Sequence, residues 1–145
     1  MKVIIAGGGD IGEALARYLK ERGDQVLVLD NNEEACARIS RLGVEVIKGD
    51  VTDPHLMSQI GVSEADVFLA LTGSDDINLV SAILAKHQGA KRVVVRVENP
   101  MYVEACRMVG LNEICNPAEA TAIRIDAAIH GFKLADIITL GERYV

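Results

Sequence analysis

A chain of 145 residues suits one globular domain and leaves little room for a second. Half the residues are hydrophobic but only 3% are aromatic, so an aliphatic core of Val, Ile, Leu and Ala is expected, as in strands covered on both faces by helices. The net charge of −6 comes without a basic block, which excludes a general nucleic-acid binder, and no apolar run approaches the ~20 residues of a membrane span.

In chain order, strand-like apolar runs at 3–6, 26–30, 44–48, 67–71, 93–97 and 113–116 alternate with helical patterns. Those patterns fall at 11–22, 33–42, 54–60, 77–88, 101–109 and 118–129. Repetition at this spacing reads as consecutive βαβ units feeding a parallel sheet. Gly23, Gly43, Gly61, Gly89 and Gly110 each fall just past a helical pattern, where helices stop. Six strands make a doubly wound α/β domain with a six-stranded parallel sheet, most simply in the order 3-2-1-4-5-6, over residues 1–132. A seventh strand-like run at 136–140 follows a short amphipathic stretch. It either completes the domain or belongs to a C-terminal extension or linker stub, 133–145.

The first strand runs into "GGGDIG", in which Gly7, Gly9 and Gly12 stand in G-x-G-x-x-G order before an alanine-rich helix. Strand before and helix after make this read as a nucleotide-binding turn, the alternative being a glycine turn with no ligand. Gly7 permits the tight turn, Gly9 lets backbone approach a pyrophosphate, and Gly12 allows close helix–strand contact. Gly8 keeps the turn free of a blocking side chain. The helix amino end offers unpaired N–H groups and a positive dipole end to phosphate.

The second strand, "VLVLD", ends in Asp30, 18 residues after Gly12. A carboxylate there accepts hydrogen bonds from both ribose hydroxyls of an adenosine. A 2′-phosphate ~4 Å from it meets repulsion of order 4 kcal/mol at an effective dielectric near 20. Asn31 and Asn32 follow, with no cation to offset it, so NAD is favoured over NADP. The alternative for Asp30 is a cap on the helix beginning at Glu33, which is compatible with binding.

Two more strand ends fall at the same sheet edge. "KGDVTDP" places Asp50 and Val51 where an adenine would lie, and "ALTGSDDIN" places Thr72 and Gly73 where a nicotinamide ribose or further phosphates would reach. Asp53, and Asp75 or Asp76, read as helix N-caps. Arg96 interrupts the apolar run "VVVRV", where a lone buried cation is costly. It reads either as a contact to phosphate or to a neighbouring subunit, or as an internal ion pair with Glu98 or a helix carboxylate.

Cys36, Cys106 and Cys115 are odd in number, with no C-x-x-C pair, and read as reduced, half-buried thiols; His55, His87 and His130 are scattered. No metal site and no nucleophile–base arrangement is expected. The glycine turn follows Lys2 too soon for a signal peptide, so a cytoplasmic location is expected.

Taken together, "VIIAGGGDIGEALARYL", "VLVLDNNEE", "VIKGDVTDPHLM", "VFLALTGSDDINLVSAILAK", "RVVVRVENPMY" and "GLNEICNPAEATA" resemble the TrkA N-terminal domain, also called the KTN or RCK domain. The "GD-x-T" stretch at 49–52, "LTGSDDIN" at 71–78 and "NP-x-E" at 116–119 carry it most specifically. The resemblance implies a Rossmann domain that binds a dinucleotide or adenine nucleotide, self-associates, and gates a membrane-embedded potassium transporter or channel subunit from its inner face. It places ligand contacts on Gly7, Gly9, Asp10, Ile11, Gly12, Asp30, Asp50, Val51, Thr72 and Gly73, and more loosely on Arg96. Members that respond to ATP often carry an arginine inside the glycine motif; Asp10 stands there here. NAD or NADH is therefore expected, with ATP or ADP disfavoured.

A dehydrogenase is the competing reading. It needs a substrate-holding region and an acid–base group near the nicotinamide. Six βα units use about 130 residues, and neither Tyr102 nor His87 sits in an acid–base motif, so a regulatory module rather than an enzyme is expected. The helices at 77–88 and 101–109 carry more apolar surface than one sheet face needs. Ile77, Val80, Ile83 and Leu84 are expected to face the sheet, leaving Leu79 and Ala82 to face elsewhere. Met101, Ala105 and Met108 span more than one stripe. A two-fold homodimer through these helices is expected, with a larger ring as an extension of it.

Overall fold

The computed structural model describes residues 1–131. The strand-like run at 136–140 and the extension 133–145 lie outside the described residues. Strands β1 (Lys2–Ala6), β2 (Gln25–Asp30), β3 (Glu45–Lys48), β4 (Val67–Ala70), β5 (Val93–Arg96) and β6 (Glu113–Cys115) form one sheet. Every pairing is parallel and the order is β3-β2-β1-β4-β5-β6, as expected. Helices α1 (Asp10–Glu21), α2 (Glu33–Arg41), α3 (Pro54–Gln59), α4 (Asp75–Gln88), α5 (Pro100–Met108) and α6 (Pro117–Ile129) follow the six strands in turn. Each expected element is present to within two residues; a short 3-10 turn at Val62–Glu64 was not foreseen.

The sheet is central because its middle strand is apolar on both faces. Val3, Ile4, Ile5 and Ala6 are all fully buried. Val3 and Ile5 pack with Ala16 and Leu19 of α1 and Ile39 of α2, while Ile4 and Ala6 pack with Met57 of α3, Ala82 and Ala85 of α4, and Cys106 of α5. Successive strand side chains point to opposite faces, so one continuous apolar run feeds both layers. The five helix-ending glycines all adopt positive φ, between 74° and 105°, which is why the chain turns where the sequence says it should.

Helix α4 corrects one expectation. Its buried residues are Asn78, Ser81, Ala82 and Ala85, while Ile77, Val80 and Ile83 are more than a third exposed. Leu79 and Leu84 are half-buried against the core. The large side chains of Phe68 and Val95 already fill the sheet surface here, so a face of small residues lets the helix approach closely. Ile77, Val80 and Ile83, expected to meet the sheet, therefore face outward, while Leu84 packs against the core as expected; Ala82 and Leu79, expected to face elsewhere, are buried and half-buried. Among the described residues, no helix is long and apolar enough to cross a membrane.

Candidate functional site

Chain order reverses between β1 and β4, and the carboxyl ends of β1, β2, β3 and β4 open there into a cleft of about 360 Å³. Gly7, Asp30, Asn31, Asp50, Val51, Thr52, Thr72 and Ile77 line it. Five of these were singled out from the sequence: Gly7, Asp30, Asp50, Val51 and Thr72. Asn31, Thr52 and Ile77 are added by the geometry.

The glycine turn is built from contacts that admit no side chain at two of its positions. Gly7 has φ +118°, and a Cβ there would lie 2.8 Å from the backbone of Leu71 and Thr72. A Cβ on Gly12 would collide with the Gly7 carbonyl oxygen. A Cβ on Gly9 would meet nothing within 4 Å, so this glycine leaves open space where a ligand can approach.

Asp30 closes the turn. Its Oδ2 accepts the Gly8 N–H at 2.6 Å and its Oδ1 accepts the Asn32 N–H at 2.7 Å. The Gly8 N–H is thereby used within the protein, leaving the amides that open α1 to face a ligand. Asp30 is not the cap of α2: Asn32 is, accepting from the Ala35 N–H. The Cys36 thiol donates to the Asp30 carbonyl at 3.4 Å, and burial, then the Asp30 charge, push its pKa up.

Helices α2, α3, α5 and α6 are capped by the side chains of Asn32, Asp53, Asn99 and Asn116. Helices α1 and α4 begin at Gly9 and Ser74 without a side-chain cap. These two follow the strands that flank the crevice. Their first-turn N–H groups have no intrahelical acceptor and carry the positive ends of the helix dipoles. Asp10 and Ile11 occupy the first turn of α1. The uncapped starts of α1 and α4 thus lie at the same sheet edge as the cleft, whose lining includes the carboxylates of Asp30 and Asp50; Gly8, Gly9, Asp10, Ile11, Gly12 and Gly73 are not among its lining residues.

On the β3 side, Asp50 Oδ1 accepts both the Thr52 N–H and the Thr52 hydroxyl, at 2.8 and 2.6 Å. Those bonds, the hydroxyl first, hold its pKa below the ordinary carboxylate value. On the β4 side, Thr72 is positioned by Asn78, a fully buried residue that the sequence reading passed over. A polar residue on an apolar helix gives no signal of burial until its partners are known.

Asp53 caps α3 as expected. Asp75 does not cap α4: its carboxylate accepts the Glu98 and Asn99 N–H groups at 2.9 and 2.8 Å, tying α4 to the start of α5. The expectation failed because a helix-opening carboxylate can serve a neighbouring loop as readily as its own helix. Arg96 donates to Glu98 Oε1 at 2.5 Å and does not line the cleft, so the internal ion pair is the arrangement adopted.

A parallel doubly wound sheet with a glycine turn at the β1–β4 switch point and an acid at the end of β2 defines a Rossmann-like NAD-binding fold. Within that class the chain belongs to the TrkA-N domain family, whose model matches residues 3–117. It is 37% identical over 143 residues to the Trk system potassium uptake protein TrkA homolog of Methanothermobacter thermautotrophicus, covering 98% of this chain and 66% of that one. A like-named protein of Archaeoglobus fulgidus is 43% identical over 104 residues, covering 72% of this chain and 24% of that one. The chain therefore spans less than two thirds of these relatives.

Among solved structures, the NAD(P)-binding domain of an exopolyphosphatase-related protein from Archaeoglobus fulgidus matches with a TM-score of 0.80 at 22% identity, covering 90% of this chain and 98% of that one. The GsuK channel bound to NAD matches with a TM-score of 0.73 at 24% identity, covering 86% and 22%. The Shewanella denitrificans Kef CTD in AMP-bound form matches with a TM-score of 0.78 at 19% identity, covering 99% and 91%. These likenesses show the fold.

Proposed function

We propose that the cleft binds NAD or NADH in preference to NADPH, ADP or ATP, and that the domain is a regulatory element of a membrane-embedded potassium transporter or channel. The observation that carries the ligand is Asp30: a carboxylate on the cleft wall, fixed by two backbone donors and followed by Asn31 and Asn32 rather than a cation. Ribose hydroxyls satisfy its remaining lone pairs, whereas a 2′-phosphate meets its charge. Gly7, Gly8, Gly9, Asp10, Ile11 and Gly12 form the phosphate side, Asp50 and Val51 the adenine side, and Thr72 and Gly73 the far ribose side. The potassium role rests on the family and on the names its relatives carry.

Among the described residues, those lining the cleft comprise no His, Lys or Tyr, which favours binding without turnover over hydride-transfer catalysis. Regulation then acts by population shift. The nucleotide spans the α1 turn and the α4 turn, and shifts the assembly by its difference in affinity between two arrangements of them. The outward stripe Ile77, Val80 and Ile83, with Met101 and Met108 of α5, supplies the surface for a homodimer and larger rings.

The test is potassium flux through the transporter or channel reconstituted in vesicles with the full regulatory protein, with NADH and NAD added in turn. Flux that depends on which is present supports the reading. Flux indifferent to both, with both bound, removes the regulatory role.

A further inference from the structure

The last residues of β2 and β3 stand side by side, because the parallel register pairs Asp30 with Lys48. Side chains alternate along each strand and keep step across the pair. Val28 and Val46 pack on the face covered by α1 and α2, and Leu29 and Ile47 pack on the other. Asp30 and Lys48 therefore both project on the α2 side. The Cys36 thiol of α2 senses both charges. Burial raises its pKa most, the Asp30 carboxylate raises it further, the Lys48 ammonium lowers it, and Glu33 adds the smallest rise. A cation thus does stand beside Asp30, supplied by the neighbouring strand and not by the residues that follow Asp30 in the chain.

Lys48 is also uncommitted. Lys2 pairs with Glu64 and Lys91 with Asp66, while Lys20 and Lys86 donate to carbonyls just past the ends of α2 and α5. Lys48 is exposed and, among the described residues, its ammonium has no hydrogen bond and no ion pair. Asp30 does not close on it, because both carboxylate oxygens are held by the Gly8 and Asn32 amides. Lys48 is not among the residues lining the cleft. It stands outside Asp30 on the edge strand, two residues before the lining Asp50.

We infer that Lys48 is a second specificity-determining residue for the adenosine end of the ligand: it attracts the 2′-phosphate that Asp30 repels, and so sets how far the cleft discriminates against NADPH. This rests on the nucleotide reading above and adds a second charge to the preference that Asp30 establishes. Asp30 lines the cleft and is fixed by two amides, so the anion prevails. Lys48 reaches in on a flexible stem from an exposed position, so it reduces the penalty without cancelling it. An exposed pair of this kind contributes up to about fivefold in affinity and is screened by salt.

The test is titration with NADH and NADPH, which differ only in the 2′-phosphate, of the wild-type chain, Lys48→Ala, Lys48→Arg and Asp30→Asn. Lys48→Ala is expected to lower the NADPH-to-NADH affinity ratio about three- to fivefold at low ionic strength, and by less than about twofold near 0.5 M salt. Lys48→Arg keeps the wild-type ratio because it keeps the charge. Asp30→Asn leaves the cation without its opponent, so NADPH becomes the tighter ligand, and adding Lys48→Ala to that variant removes the advantage. A ratio unchanged in Lys48→Ala, lost equally in Lys48→Arg, or shifted to the same extent at both salt concentrations overturns the inference while leaving nucleotide binding intact. Binding of neither ligand to the wild type overturns the nucleotide reading and this inference with it. Should Asp30→Asn fail to fold, the two Lys48 variants decide.

Discussion

The Gly8 N–H donates to Asp30 Oδ2 at 2.6 Å, so the glycine turn after β1 and the acidic end of β2 form one unit. A hydrogen bond to a charged acceptor contributes about 1.5–3 kcal/mol. Asp30→Ala is therefore expected to lower folding stability by about 2 kcal/mol and to narrow the preference for NADH over NADPH. Urea unfolding measures the first effect and fluorescence titration the second. A variant that loses stability but keeps its full preference would separate Asp30 from ligand selection.

Gly12 and Gly9 are expected to part company. Gly12→Ala drives a Cβ into the Gly7 carbonyl and should abolish cooperative folding, or lower the melting temperature steeply. Gly9→Ala has open space and a φ of −77°, so its folding cost should stay near 1 kcal/mol or less, that of an N-cap change. Its nucleotide affinity should nonetheless fall by tenfold or more, because the added methyl stands where the phosphates approach. Circular dichroism with titration on the same sample resolves the pair.

Much of this was legible in the sequence because it rests on local chemistry. Two-sided apolar runs, five glycines after helices and the spacing from Gly12 to Asp30 each have one common physical solution. What stayed hidden depends on partners distant along the chain. Asp75 serves the amides of Glu98 and Asn99, and Asn78 reaches the carbonyl of Arg96; nothing near either residue announces this. The outward face of α4 was hidden for a related reason. Apolar residues surround that helix, so periodicity could not choose a side, and the choice fell to Ser81, Ala82 and Ala85 because they are small.

The α4 stripe gives an assembly prediction. Light scattering at micromolar concentration should return about twice the chain mass for the wild type, the commonest closed assembly. Val80→Glu, at a position 44% exposed in the single chain, should return the single mass with unchanged secondary structure. A dimer that survives this substitution places the interface elsewhere.

Asp66 makes stability depend on pH. Its carboxylate accepts the Lys2 N–H at 2.7 Å and the Lys91 ammonium at 3.2 Å, and these hold its pKa below the ordinary 3.8. The unfolded chain binds the proton first as pH falls, so this contribution is complete above the ordinary carboxylate pKa and is lost as pH drops through the folded value. Asp66→Asn should be less stable than wild type at pH 7, and the gap should close as pH falls below the ordinary carboxylate value of 3.8. Denaturant midpoints at stepped pH follow it. A gap that widens on acidification would contradict the assigned sign.

The most direct measurement is titration of the purified chain with NADH, NAD, NADPH and ATP under one set of conditions. NADH or NAD should saturate at one per chain, with NADPH and ATP each at least about tenfold weaker. Equal binding of NADPH, or tight binding of ATP with none of NADH or NAD, would contradict the assignment of the Asp30 cleft.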